Sequence, residues 1–232
     1  MNYRPVVLDH AATKLLEAGY KAEEVQSAKF DVQAQLQSIY DMGRAVRTCS
    51  ACPLQAECNI PAVAGMGPLG APLMIIGDGP GEDDAQLGAP MIGATGQLLT
   101  LILAKLGVDR RDVYLTNAVK CHSKRKLTFE EVVECSHHLF NELAYVRPRV
   151  ILAMGNRALR ILTSDPEAMI SKNRGKWLTE QSSEQISLMA TYNLGHLFHQ
   201  EGTKLLQIKK EIFADVKEAC VKAGLIKEAI NV

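Results

Sequence analysis

A chain of 232 residues can fill one large core but not two comfortable ones, so a single main domain with decorated ends is expected. At 47% hydrophobic and 22% charged residues, with no low-complexity tract, the composition excludes a disordered chain. Lysine plus arginine equals aspartate plus glutamate at 26 each, which excludes a protein that is basic along its whole length; no apolar run is long enough to cross a bilayer, and the start at Met1 has no secretory leader pattern. The expected location is the cytoplasm, without membrane partners. There, six cysteines read as metal ligands or free thiols before they read as disulfides.

In chain order, apolar periodicity predicts two helices, from Leu8 to Val25 and from Phe30 to Val46. Neither carries a chemical motif. They form an expected helical extension, residues 1–47, on a main domain at 48–232. From Cys49 to Gly70 the chain reads as a loop rich in Pro, Gly and Ala. Four short apolar runs follow, Pro72–Gly77, Val113–Asn117, Arg149–Gly155 and Ser187–Tyr192. Helical stretches at Thr95–Leu106, Thr128–Val146, Asn156–Leu162 and Thr203–Ala223 separate and follow them. This alternation predicts an α/β fold: a three-layer α/β/α sandwich around a central, mostly parallel four-stranded sheet. Ligands of such sheets bind beyond the carboxyl ends of the strands.

Motifs fall at those ends. Gly77-Asp-Gly-Pro-Gly81-Glu-Asp-Asp after the first strand, then Gly88-Ala-Pro-Met-Ile-Gly93, read as a loop that lets backbone approach a ligand. A dinucleotide fingerprint is disfavoured because its glycine register is broken and no helix is expected directly at the turn. A plain tight turn accounts for Gly77 and Gly81 but not for Asp78, Glu82, Asp83 and Asp84. Cys49 and Cys52 share a Cys-x-x-Cys loop, Cys121 closes a strand and Cys135 lies on the next helix, a thiolate set suited to zinc or to an iron–sulfur cluster. Between the last two runs the basic segment Lys120-Cys-His-Ser-Lys124-Arg125-Lys126, a candidate grip for phosphates.

Taken in order, Cys49-Ser-Ala-Cys-Pro-Leu54, Gly77-Asp-Gly-Pro-Gly-Glu82, Gly88-Ala-Pro-Met-Ile-Gly93, Thr116-Asn-Ala-Val-Lys-Cys121, Glu134-Cys135 and Thr191-Tyr-Asn-Leu194 resemble the motif series of the family 4 uracil-DNA glycosylases, from about Thr48 to Ala219. The resemblance implies a [4Fe–4S] cluster on Cys49, Cys52, Cys121 and Cys135, with zinc as the alternative. Cys58 and Cys220 have no counterpart and read as ordinary thiols, Cys58 standing as a substitute ligand. The resemblance places the catalytic pair on Asp78 and Asn193, and substrate contacts on Gly77, Gly79, Pro80, Gly81, Met91 and Asn117. DNA contacts are expected from Lys120, Lys124, Arg125, Lys126, Gly195 and His196, in a monomer that is nucleoid-associated when bound.

The departures from the family are in the pocket. Asp78 stands for a glutamate, Met91 for a stacking aromatic ring, Asn193 for a histidine and Leu194 for the proline after it; His199 stands where arginine is frequent. Asn193 can donate a hydrogen bond but cannot become a cation. The expected activity is hydrolysis of the N-glycosidic bond of uracil, or of a modified or damaged pyrimidine, flipped from single- or double-stranded DNA. The alternative is a weak or inactive relative that keeps fold and cluster to bind nucleic acid. His122, His137 and His138 read as solvent-facing or helix-surface residues, Trp177 as packing a loop, Arg174-Gly175 as a minor candidate for DNA contact, and Tyr192 as core.

Overall fold

Strands form where continuous apolar runs are short and bounded by turn residues, and four of them pair in parallel. In the computed structural model, which describes residues 13–14, 16–19, 21–58, 60–179 and 186–227, these are β1 (Leu73–Gly77), β2 (Tyr114–Asn117), β3 (Val150–Met154) and β5 (Ser187–Thr191). A fifth, β4 (Trp177–Thr179), pairs antiparallel with β5, giving the order β2-β1-β3-β5-β4. The sheet therefore has five strands rather than the expected four. Trp177 lies in that edge strand and not in a loop; its indole N–H donates to Glu218 Oε1 at 2.7 Å and Lys222 Nζ lies 5.6 Å from its ring centre.

Side chains alternate between two cores, as strand geometry requires. Met74, Ile76, Ile151 and Ala153 point into one, and Leu73, Ile75, Val150 and Leu152 into the other. The first core is closed by α5 (Phe129–Val146) and α6 (Asn156–Thr163), the second by α4 (Ala94–Lys105) and α8 (Gly202–Lys222). All five residues of β1 and of β3 are buried, which explains their unbroken apolar sequence. The β2 edge is covered by the segment around Met66, whose backbone exchanges two hydrogen bonds of 2.8 Å with Leu115.

Three short helices add to the expected set: α2 (Leu54–Cys58), α3 (Glu82–Leu87) and α7 (Ile170–Asn173). The chain divides into two compact units, Met1–Arg44 and Ala45–Val232. The expected second helix starts earlier than Phe30. Helix α1 runs from Ala22 to Arg47, opened by the Glu24 carboxylate accepting the Lys21 N–H at 3.0 Å, after Gly19 turns the chain at φ 91°. Residues 8–12, 15 and 20 of the expected first helix lie outside the described residues, as does the side chain of Cys58. No helix among the described residues is long and apolar enough to cross a membrane.

Candidate active site and metal centre

The carboxyl ends of β1, β2, β3 and β5 carry Asp78, Asn117, Gly155 and Asn193 within one residue or two of the strand. Asp78 leaves β1 and reaches across to α6, where its Oδ1 accepts the backbone N–H of Arg157 at 2.7 Å and of Ala158 at 3.1 Å. It thus satisfies two of the orphan donors of that helix. The approach demands glycine at 155: a β-carbon there would collide with the Asp78 carboxylate, and the backbone is at φ 120°. Burial raises the pKa of Asp78, while the Ala158 N–H, the Arg157 charge, the Arg157 N–H and the Asn193 side chain pull it down. Asn193 caps the 3₁₀ turn Leu194–His199 by accepting the Gly195 N–H on Oδ1 at 2.8 Å. With Oδ1 so used, its NH₂ group is the end that can serve Asp78.

The acidic cluster after β1 has a structural explanation in Asp84. Helix α3 begins directly at the Gly81 turn, against expectation, because Asp84 in its first turn accepts the Gly81 N–H at 3.2 Å. The same carboxylate accepts Ile92 N–H at 2.8 Å and Gly93 N–H at 3.1 Å, and so ties the two glycine loops together. Between them Met91 is held at φ 54°, a conformation rare for a residue with a side chain. Arg110 fixes it there: the guanidinium donates to Met91 O at 2.6 Å, Pro90 O at 3.1 Å, Gly96 O at 3.1 Å and Thr100 Oγ1 at 2.9 Å. Asp84 stands out in the sequence only as one member of an acidic cluster, and Arg110 not at all, because most of their partners are backbone atoms at no fixed spacing.

These residues enclose a cavity of about 200 Å³ lined by Gly77, Asp78, Gly79, Pro80, Gly81, Met91, Asn117 and Asn193, among others. All eight residues expected from the resemblance to bind or act on substrate therefore meet at one cavity. Asn117 is 3% exposed, and among the described residues its Nδ2 has no hydrogen-bond partner. A buried donor left unmade costs about 1–3 kcal/mol, so this amide is poised for an acceptor on a ligand. A larger cavity of about 370 Å³ adjoins, sharing Asp78, Gly79, Pro80 and Asn193 as a common wall.

Cys52, Cys121 and Cys135 pack around the same core, and both Cys49 and Cys52 act electrostatically on the Cys135 thiol. That thiol is pushed up by burial, opposed by the Lys120 N–H that donates to Cys135 Sγ at 3.3 Å. Soft sulfur donors of this kind suit an iron–sulfur cluster or zinc, and one of them already accepts a backbone N–H, but among the described residues the four cysteines do not by themselves form a metal-sized group. Of the α5 histidines, His137 is exposed as expected and His138 is not. His138 is buried, with Nε2 unpartnered among the described residues and its pKa brought down to about 4, by burial first and then by His137 and Lys120. Cys49 Sγ and ring nitrogens of His137 and His138 lie within 4.8 Å of one another, a mixed donor group beside the cysteines. His137 and His138 are adjacent in the sequence but Cys49 lies far from them along the chain, so spacing gives no signal for this group. His122 is half-buried, its Nδ1 3.0 Å from Pro80 O.

The basic segment is divided by the fold. Lys120, expected on DNA, is 1% exposed and turned inward: Nζ donates to Glu142 Oε2 at 2.7 Å, Thr116 Oγ1 at 2.7 Å and Asn117 O at 2.9 Å. Its charge neutralises a buried carboxylate whose other oxygen accepts the Gly65 N–H at 2.8 Å, so it cannot reach phosphate. Arg125 is exposed but bridges Glu57 at 2.9 Å and Glu131. Lys124 and Lys126 are exposed. Gly195 and His196 sit on the turn after Asn193, His196 exposed with its ring 5.8 Å from that of Tyr192. Tyr192 is half-buried against both cores. The Arg174 guanidinium is committed to Asp215 at 2.7 Å and so braces α8 against the sheet.

Residues 64–217 match the uracil DNA glycosylase superfamily. The chain is 32% identical over 181 residues to the type-4 uracil-DNA glycosylase of Thermotoga maritima, covering 77% of this chain and 93% of that one. It is 32% identical over 189 residues to the type-4 uracil-DNA glycosylase of Archaeoglobus fulgidus, 79% and 92% of the two chains. A Pyrobaculum aerophilum type-4 uracil-DNA glycosylase is 34% identical over 164 residues, 68% and 82%. On the fold, the motif order and these matches together, the chain belongs to the uracil DNA glycosylase superfamily, in its type-4 branch.

Proposed function

We propose that this protein is a DNA glycosylase that hydrolyses the N-glycosidic bond of uracil, or of a modified pyrimidine, extruded from DNA. The observation that carries this reading is the unpartnered Asn117 amide inside a cavity that also holds Asp78 and Asn193. An extruded base must be read on its Watson–Crick edge, and a buried Asn offers the donor that a pyrimidine carbonyl accepts. Cleavage of the C1′–N1 bond leaves negative charge on the base and positive charge on the sugar, and water supplies the new C1′–O bond. Asp78 opposes the sugar charge and orients that water, while Asn193 stands beside it as a neutral donor. Met91 stands where the family motif has a ring, and its flexible thioether leaves the pocket able to take a substituted base.

Cys49, Cys52, Cys121 and Cys135 would hold a [4Fe–4S] cluster in this reading. Bound there, the cluster would supply a cross-link between the loop of Cys49 and Cys52, the segment after β2 and helix α5.

The test is a panel of oligonucleotides bearing uracil and substituted or damaged pyrimidines, single- and double-stranded, assayed for abasic sites. Cleavage of at least one member is expected, with loss of about 10²–10⁴-fold in the Asp78→Asn variant. Tight, salt-sensitive binding of the panel without any abasic site would instead establish a base-binding protein, a role favoured by the absence of an ionisable group at Asn193.

A further inference from the structure

The glycosylase reading leaves the larger cavity without a task. Besides the wall it shares with the base pocket, it is lined by three cations, Lys126, Arg157 and Arg160, together with Cys121 and polar and apolar side chains of the segment that follows it, and among the described residues Asp78 is its only acid. Arg157 begins α6 half-buried, and among the described residues its guanidinium makes no hydrogen bond or salt bridge; it acts on Asp78 only at longer range. Its Nη1 would lie 3.7 Å from a methyl group placed on Gly79, so it flanks the loop that both cavities share. Among the described residues Arg160 spends only Nε, which donates to Ala168 O at 3.1 Å, and its two terminal nitrogens remain for a ligand. The first amides of α6 are already taken by Asp78, so any anion here is held by side chains and not by the helix end. Meanwhile Lys120 is buried and Arg125 doubly paired, which leaves Lys124 and Lys126 as the exposed lysines of the basic segment that are open to phosphate.

We infer that the larger cavity seats the phosphodiester that joins the extruded nucleotide to its neighbour, held by Arg157 and Arg160 with Lys126 at the mouth. The inference rests on the glycosylase reading and deepens it. The shared wall of Asp78, Gly79, Pro80 and Asn193 sets the two cavities side by side, as a base and the adjacent backbone of one strand must be. A planar guanidinium fork matches two phosphate oxygens, and a half-buried, unpaired cation is the group with most to gain from such an anion.

The experiment compares intact protein with Arg157→Gln Arg160→Gln for binding of a non-hydrolysable uracil-containing single strand across a salt series, with free uracil binding in parallel. The expected result is affinity at least about tenfold weaker, a slope of log K against log salt shallower by about 0.7 for each phosphate no longer neutralised, and unchanged affinity for free uracil. An unchanged slope with intact uracil binding overturns the inference. Arg157→Gln alone, whose backbone cap on Asp78 is untouched, gives the same reading if the double variant does not fold. Failure of the wild-type protein to release any base from a cleavable strand would instead count against the glycosylase reading, and the two failures are separately visible.

Discussion

Asp78 has two roles in one carboxylate: it closes the start of α6 and faces the cavity. Asparagine keeps an acceptor for both backbone N–H groups, so Asp78→Asn should lose cleavage while unfolding within about 1 kcal/mol of the wild type in urea. Because burial raises the Asp78 pKa, ionisation is completed only above the usual aspartate value of about 3.9. Cleavage that needs the charged form should therefore fall off on the acid side at a higher pH than an exposed aspartate would give, visible as the lower limb of a kcat/KM profile. Asn117 offers the opposite contrast. Asn117→Leu removes a buried donor that has no partner, so folding stability should hold or rise, while cleavage falls by about 10²–10³-fold. Thermal unfolding and single-turnover cleavage of the same preparation separate the two effects.

At the scale of elements, α5 connects the candidate ligand Cys135 to the β2 end that carries Asn117, through Glu142 and Lys120. Its buried stripe, Val132, Cys135, His138, Leu139, Glu142 and Val146, follows helical periodicity. Its start is a capping box in which Thr128 and Glu131 satisfy each other's backbone N–H groups, with Arg125 holding Glu131 at a pKa of about 2. A carboxyl depressed in the folded state stabilises fully above its unfolded pKa, here 4.5, and that stabilisation is lost as pH falls through the folded value. Deeper along the helix Glu142 pairs with Lys120, and the lysine also holds the carbonyl of Asn117. Lys120→Met strands a buried carboxylate and should cost about 3–5 kcal/mol in urea unfolding; adding Glu142→Gln should recover part of it. This pair marks a limit of sequence reading. Lys120 lies in a basic run and its partner stands 22 residues away with no pattern to connect them, so the lysine reads as a surface cation.

For the whole molecule, the parallel strands were legible to within a residue or two because a strand buried on both faces must be apolar throughout. β4 was not, since three residues are too few to show a period and its register comes from β5. The residues that meet at the smaller cavity were legible through motif order, whereas the roles of Asp84 and Arg110, which hold the loops there largely through backbone groups, were not. The cysteine set predicts that protein purified without oxygen is brown and contains iron. Cys121→Ala Cys135→Ala should lose colour and iron together, and stoichiometric zinc in the wild type would sink the cluster reading. The three amides gathered by Asp84 have a kinetic corollary. Two loops bolted to one carboxylate move as a single rigid body, so the chamber between them is already shaped before any base arrives. Uptake of a free pyrimidine should then follow one concentration-dependent phase in stopped flow, with no slower closing step behind it, and any delay seen with DNA belongs to the unstacking of the strand.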